Sequence, residues 1–310
     1  MNTVVQRPGT IMQRQVAKCF LCDQESSHLV HHEGDYDARR CPSCGMVYTT
    51  PTPLPGEVDP TIESHPESFY SLSARFKASW VARHCPPGQL LEVGCGKGYF
   101  LSEARNLGFK VLGLEPKQSS SQYAKEVFGI PVHTGLLEDN LLEKKGYDVV
   151  YHCDLLAHFP DPVMALKSMS ELLRPGGVLC FEVGLMAGIS PLWYRFIGRV
   201  GLGPHLWFYS QRAFELLLAR AGLRLMKVQY FGLVPRAILS KITGILLKRI
   251  AVPLLSVMNR WGISPPPDRA THLQDRFRNF LRYRAGVLMP RIGPQTLMVV
   301  AQPVDDARLN

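Results

Sequence analysis

Two acids a little over twenty residues apart, Glu92 and Glu115, bracket the glycines Gly94, Gly96 and Gly98, with Cys95 and Lys97 between them. Glycine lets backbone approach a ligand because no Cβ intervenes, so the run reads as a cradle for a small molecule. A dinucleotide fingerprint wants its third glycine one position later, where this chain has Tyr99, and that disfavours a pyrophosphate. Glu92 agrees: a carboxylate ahead of the first glycine repels phosphate and can hold an ammonium group. Glu115 closes the run Val111-Leu112-Gly113-Leu114, where a carboxylate can accept hydrogen bonds from both ribose hydroxyls of a nucleoside.

A second set lies near the start of the chain. Cys19-x-x-Cys22 and Cys41-x-x-Cys44, with eighteen residues between the pairs, have the spacing of treble-clef and ribbon zinc sites. Four thiolates can surround one ion tetrahedrally, and Gly45 suits the left-handed turn of a knuckle. Four protein ligands leave no open position for water or substrate, so the expected role is structural. Redox-active pairs are the competing reading, although neither pair opens a helix after a strand. His28, His31 and His32 lie between the pairs, where any could replace a cysteine, but four thiolates already complete the site.

His158 and His205 are the candidate general bases, since imidazole titrates near neutral pH. For each, a histidine bonded to backbone to shape a loop is the alternative. Trp193, Tyr194, Trp207 and Tyr209 gather around His205, as an acceptor wall or as core.

The elements that must position these groups follow from hydrophobic pattern and punctuation. Phe69 to His84 has a helical period ending at Pro86-Pro87-Gly88; Leu90 to Val93 is a strand entering the glycines; Tyr99 to Leu107 is a helix stopped at Gly108. Further strands are expected at Val111 to Glu115, Tyr147 to Val150, Val178 to Val183 and Gln295 to Gln302, with a helix from Gln211 to Ala221. The stiff run Pro51-Thr52-Pro53-Leu54-Pro55-Gly56 marks a boundary near residue 52. The expected organisation is a cysteine module over 1–52, a core over 53–232, an insertion over 233–292, and a last core strand with tail over 293–310.

Glu92-x-Gly94-x-Gly96-x-Gly98 followed by Gly113-Leu114-Glu115 resembles the first two motifs of class I S-adenosylmethionine-dependent methyltransferases. The likeness continues through Tyr147-Asp148-Val149-Val150 and Leu172-Leu173-Arg174-Pro175-Gly176-Gly177, and covers roughly residues 70 to 232 and the final strand. It implies an α/β, Rossmann-like fold: a mostly parallel seven-stranded sheet with helices on both faces, preceded here by a small zinc ribbon or knuckle. It also implies that the methionine end of S-adenosylmethionine meets Glu92 and the loop Gly94, Cys95, Gly96 and Gly98, that Glu115 takes the ribose, and that Asp154 or His152 lines the cofactor pocket. Many relatives place an acid on the adenine where this chain has Leu136, so adenine recognition falls to backbone near Leu136 and Leu137, or to Glu138. His205, in Pro204-His205-Leu206-Trp207-Phe208-Tyr209-Ser210, resembles a motif of small-molecule and polysaccharide-cluster methyltransferases in which the histidine points toward the acceptor. Many relatives read Glu-His where this chain has Ala157-His158.

The leading expectation is methyl transfer to oxygen of a small-molecule acceptor: a sugar, polyketide, quinone or lipid-linked compound. An RNA methyltransferase and a non-catalytic scaffold are the alternatives; the chain lacks an Asn-Pro-Pro-Tyr-like motif after the fourth core strand, where it reads His152-Cys153-Asp154-Leu155. The formal charge of +9 is concentrated in residues 232 to 292, which hold eleven Lys and Arg against Asp268 and Asp275. There Ile238, Leu239, Ile242, Ile245, Leu246 and Ile250 share a helical face, suited to an anionic membrane surface, a lid or a homodimer contact. The run Arg276-Phe277-Arg278-Asn279-Phe280-Leu281-Arg282-Tyr283-Arg284 could bind phosphates. No apolar stretch reaches spanning length and no signal peptide is seen, so the expected address is the cytoplasm, with peripheral membrane contact through 233–292.

Overall fold

The computed structural model describes residues 18–53, 67–139, 142–188, 201–232 and 294–304, with a few positions between 276 and 288. Its centre is a sheet of seven strands. In chain order these are β4 (Gln89–Val93), β5 (Lys110–Glu115), β6 (Val132–Thr134), β7 (Tyr147–Cys153), β8 (Leu173–Leu185), β10 (Leu223–Gly232) and β11 (Gln295–Pro303). They lie side by side in the order β10-β11-β8-β7-β4-β5-β6. The run from β8 to β6 is parallel, and β11 is antiparallel to both of its neighbours.

Successive residues of a strand face opposite sides of the sheet, and a parallel sheet must be covered on both. Leu91 and Val150 join one core with Leu166 and Met169 of α4 (Pro162–Leu172) and Phe214 and Leu217 of α5 (Gln211–Arg220). Their neighbours Leu90 and Val149 join the other, with Trp80 of α1 (Glu67–His84), Leu101 of α2 (Tyr99–Asn106) and Ala124 of α3 (Gln118–Phe128). The chain winds outward in both directions from β4. The β4 and β7 ends therefore form a topological switch point, where open α/β sheets bind ligands.

A second, smaller sheet has the order β1-β2-β3-β9. β1 (Leu29–Glu33), β2 (Tyr36–Arg40) and β3 (Val47–Thr50) come from the cysteine module, whereas β9 (Trp207–Phe208) precedes α5.

The fifth parallel strand starts earlier than the hydrophobic pattern suggests, at Leu173 rather than Val178, and runs through Pro175-Gly176-Gly177. Leu173 pairs with Tyr147, the register shifts before Val149, and Arg174 reaches Asp148 at 3.0 Å. Gly177 permits this: a Cβ there would stand 3.0 Å from the carbonyl oxygens of Arg174 and Tyr147.

The expected helix through Ile238 and Ile250 lies outside the described residues, as do Trp193 and Tyr194. In the arginine-rich run, Tyr283 is buried: its hydroxyl meets Ser73 Oγ at 2.8 Å and its ring stacks on Phe76 at 4.2 Å. Among the described residues, no helix is long and apolar enough to cross a membrane.

Candidate functional site

β4 delivers Glu92 and then bends through three glycines with left-handed backbone, Gly94 at φ 70°, Gly96 at 54° and Gly98 at 79°. These conformations suit glycine because they crowd a Cβ. The three differ in their surroundings. A Cβ at Gly98 would strike Ala124 Cβ at 2.9 Å, and one at Gly94 would press on Leu155 Cδ1 at 3.2 Å, whereas nothing lies within 4 Å of one at Gly96. The bend is therefore packed at its two ends and open in the middle.

Glu115 is tied to this bend, and Glu92 precedes it on β4. Glu115 accepts the Gly96 amide at 2.8 Å and the Lys117 amide at 2.9 Å, one on each oxygen, which fixes its carboxylate beside the open space. Glu92 is 4% exposed, and its Oε2 is buried with no hydrogen-bond partner. Burial, reinforced by Glu115 and opposed by Lys77, pushes its carboxyl well above the usual range. A buried carboxylate oxygen with nothing to bind is a place for a cationic donor. An ammonium group suits such an oxygen better than a phosphate does.

The adenine candidates form a short turn, Leu137–Asp139. Asp139 Oδ2 takes the Leu136 amide at 2.7 Å, so that donor is already satisfied, leaving Leu137 and Glu138 from the expected set. Asp154 sits at the end of β7 with φ 51° and is exposed, whereas His152 is fully buried, stacked on Phe181, with neither ring nitrogen bonded. Burial pushes the His152 imidazole down to about 3. Of this pair, only Asp154 stands where a ligand can reach it.

Leu155, which covers Gly94, begins the loop that carries His158. His158 and His205 lie together, with ring centroids 4.8 Å apart. His158 Nδ1 is 2.7 Å from the Pro204 carbonyl and His205 Nδ1 is 2.9 Å from the Gly201 carbonyl. A carbonyl only accepts, so each Nδ1 carries the proton and each Nε2 carries a lone pair. Burial, and then the neighbouring His205, lower the His158 imidazole to about 4. The two aromatics of this loop that the structure describes are core rather than wall. Trp207 is buried with Nε1 donating to the Phe159 carbonyl at 2.8 Å, and Tyr209 is buried with its hydroxyl donating to the Leu156 carbonyl at 3.2 Å.

At the far side of this loop the sulfurs of Cys19, Cys22, Cys41 and Cys44 lie within 4.8 Å of one another. A tetrahedron of sulfurs about 2.3 Å from zinc has edges of roughly 3.8 Å, so the cluster is nearly closed around such an ion. Cys44 Sγ lies 3.6 Å from Cys19 Sγ, and this contact together with the Met46 amide lowers the Cys44 thiol despite burial. His32 is paired with Asp37 at 2.9 Å, and His31 lies 3.9 Å from Glu33. The candidate ligand set is the four cysteines alone.

A family model described as a methyltransferase domain matches residues 69–228, more than half of the chain. The chain belongs to this methyltransferase family. It is 31% identical over 162 residues to a ubiquinone biosynthesis O-methyltransferase of Caulobacter vibrioides, covering 48% of this chain and 64% of that one. It is 31% identical over 145 residues to a tRNA U34 carboxymethyltransferase of Azotobacter vinelandii, covering 43% and 44%. The chain spans less than two thirds of the length of these curated relatives. A proposed sarcosine dimethylglycine methyltransferase from Galdieria sulphuraria superposes with a TM-score of 0.50 at 18% identity, over 81% of this chain and 95% of that one, a likeness of fold. The α/β sheet is thus that of the S-adenosylmethionine-dependent methyltransferases.

Several residues that shape this methyltransferase site carry no motif. Lys77 of α1 is buried, 3.0 Å from Glu182 Oε2 and donating to Cys153 Sγ at 2.8 Å. Cys153, Asp154 and Glu182 cluster tightly enough for a metal, but the Lys77 ammonium already supplies a positive charge there. The apolar face of α1 shows in the sequence; a lysine turned into that face does not. Asp139, which accepts the Leu136 amide in the turn at Leu137–Asp139, is likewise an ordinary acid in the sequence.

Proposed function

We propose that the protein transfers the methyl group of S-adenosylmethionine to a hydroxyl of a small-molecule acceptor, and that its four-cysteine cluster holds a structural zinc ion. The observation that supports the cofactor reading is the buried, partnerless Glu92 Oε2 on the strand that leads into a glycine bend open at Gly96. Glu92 would hold the ammonium of the methionine moiety, Glu115 the ribose hydroxyls, and the turn at Leu137 and Glu138 the adenine. Bound S-adenosylmethionine supplies a methyl on a cationic sulfur, so the protein's main task is to align the acceptor. His205 would take the acceptor's proton on Nε2, because its Nδ1 is committed to the Gly201 carbonyl. His158, lowered to about 4, is a weak base and suits a neutral hydrogen-bonding role beside it. Zinc would have no chemical part, since four thiolates fill its coordination shell.

The name of the Caulobacter vibrioides relative supports an oxygen acceptor on a quinone-like ring. The second reading, a nucleic-acid acceptor, is favoured by the name of the Azotobacter vinelandii relative. The test is a screen with methyl-labelled S-adenosylmethionine against catechols, sugar nucleotides, lipid extracts and transfer RNA, reading product mass. A gain of one methyl on a hydroxyl compound, abolished in His205→Ala, is expected. Label in transfer RNA alone would replace this reading with the second.

A further inference from the structure

We propose that Thr49, on the last strand of the cysteine module, is a positioning residue that sets the orientation of His205. The inference rests on the reading of His205 as the acceptor-side base. The loop 201–209 is held from two sides. The catalytic core grips it through the Leu206 amide on the Ala157 carbonyl at 2.8 Å, Trp207 Nε1 on the Phe159 carbonyl, and His158 Nδ1 on the Pro204 carbonyl. The cysteine module grips it from the other side. Thr49 Oγ1 donates to the His205 carbonyl at 2.6 Å, and the Thr49 amide donates to the Leu206 carbonyl at 3.0 Å. Beyond them Tyr48 pairs with Trp207 and Val47 with Phe208, and Ser210 Oγ donates to the Cys44 carbonyl at 2.6 Å.

The two points that fix the imidazole are both tied to the module. Its own backbone carbonyl is held by Thr49, and the Gly201 residue that receives its Nδ1 proton donates its amide to Glu33 of β1 at 3.3 Å. Thr49 is 1% exposed, so water cannot replace its hydroxyl. Three residues separate Cys44 from Tyr48, so the sulfur cluster sets where β3 begins. A metal held by the cysteines would therefore reach the histidine through this strand rather than through any shared ligand. The module becomes part of the acceptor site, with its chemistry confined to holding one ring in one tautomer.

Histidine-labelled full-length protein tests this by nitrogen NMR of the ring tautomers, with zinc content and S-adenosylmethionine affinity measured on the same samples. The expected wild-type signal for His205 is the Nδ1–H form. Thr49→Val should keep its zinc and bind S-adenosylmethionine within about twofold of wild type, yet lose that form in favour of the Nε2–H tautomer that free histidine prefers. Thr49→Ser, which restores the hydroxyl, should restore the signal. An unchanged His205 signal in Thr49→Val, or no rescue by serine, overturns the proposal. Hydrogen exchange of the wild type covers the case in which the valine variant fails to fold. Chelation should speed exchange in the 201–209 segment by about tenfold or more while leaving residues 92–98 unchanged; equal protection with and without metal overturns the proposal. Failure of the wild type to bind S-adenosylmethionine would instead sink the functional reading, while the tautomer result stands on its own.

Discussion

Burying a carboxylate without a partner is costly enough that the group keeps its proton unless a cation arrives. Glu92 is in that position, with Lys77 already committed to Glu182 and Cys153. The sign follows from its raised carboxyl. Burial shifts the free group toward its protonated form and a bound ammonium favours the carboxylate, so binding is coupled to proton release and S-adenosylmethionine affinity rises with pH where the carboxyl titrates. Glu92→Gln should weaken affinity by about 30-fold or more, the cost of removing one side of a buried charged pair, and should flatten this pH dependence. Calorimetry across pH checks both. The glycine bend and the acid bonded to it are legible in the sequence because left-handed backbone restricts residue type strongly. Lys77, Thr49 and Asp139 are not, because each acts through a contact between segments distant in sequence or through the local shape of a turn.

At the scale of elements, the notable joint is β9, two residues long, which pairs with β3 and extends the module's sheet. Cys19, Leu21, Cys44, Met46 and Tyr48 share one core with Tyr209, Phe214 and Leu217 of the catalytic side. The cysteine spacing announced the module, yet nothing in Trp207-Phe208 marks a strand, since two residues carry no period. The fifth parallel strand exceeds its hydrophobic pattern for a related reason: Pro-Gly-Gly signals a break locally, while pairing with Tyr147 carries the strand back to Leu173. Cys41 is central to the cluster, its amide donating to Met46 and its carbonyl accepting from Gly45. Cys41→Ser should lower zinc content from one ion per chain to a small fraction and reduce soluble yield, while S-adenosylmethionine binding persists in the soluble remainder. Elemental analysis and calorimetry on that variant check this; full zinc content would exclude Cys41 as a ligand.

Across the whole molecule, β4 and β7 are neighbouring parallel strands, so the glycine bend after one and the His158 loop after the other leave the sheet at the same edge. The same burial leaves a mark on stability. His152 titrates near 6.5 when unfolded and at about 3 when folded, so the unfolded chain binds more protons between those values and stability falls as pH drops. His152→Phe, which keeps the stacking on Phe181, should remove one proton from that difference. Relative to the variant, wild type should lose about 1.4 kcal/mol per pH unit between pH 6.5 and 4, as read by urea unfolding. Parallel urea curves for the two proteins would rule this out. Calorimetric titration with S-adenosylmethionine reads the ligand of the glycine bend. Wild type should bind one equivalent. Gly96→Arg, whose side chain grows into the space where no atom lies within 4 Å, should show no binding while remaining folded. Wild-type affinity in Gly96→Arg, or no heat from the wild type itself, would exclude S-adenosylmethionine as the ligand of this bend.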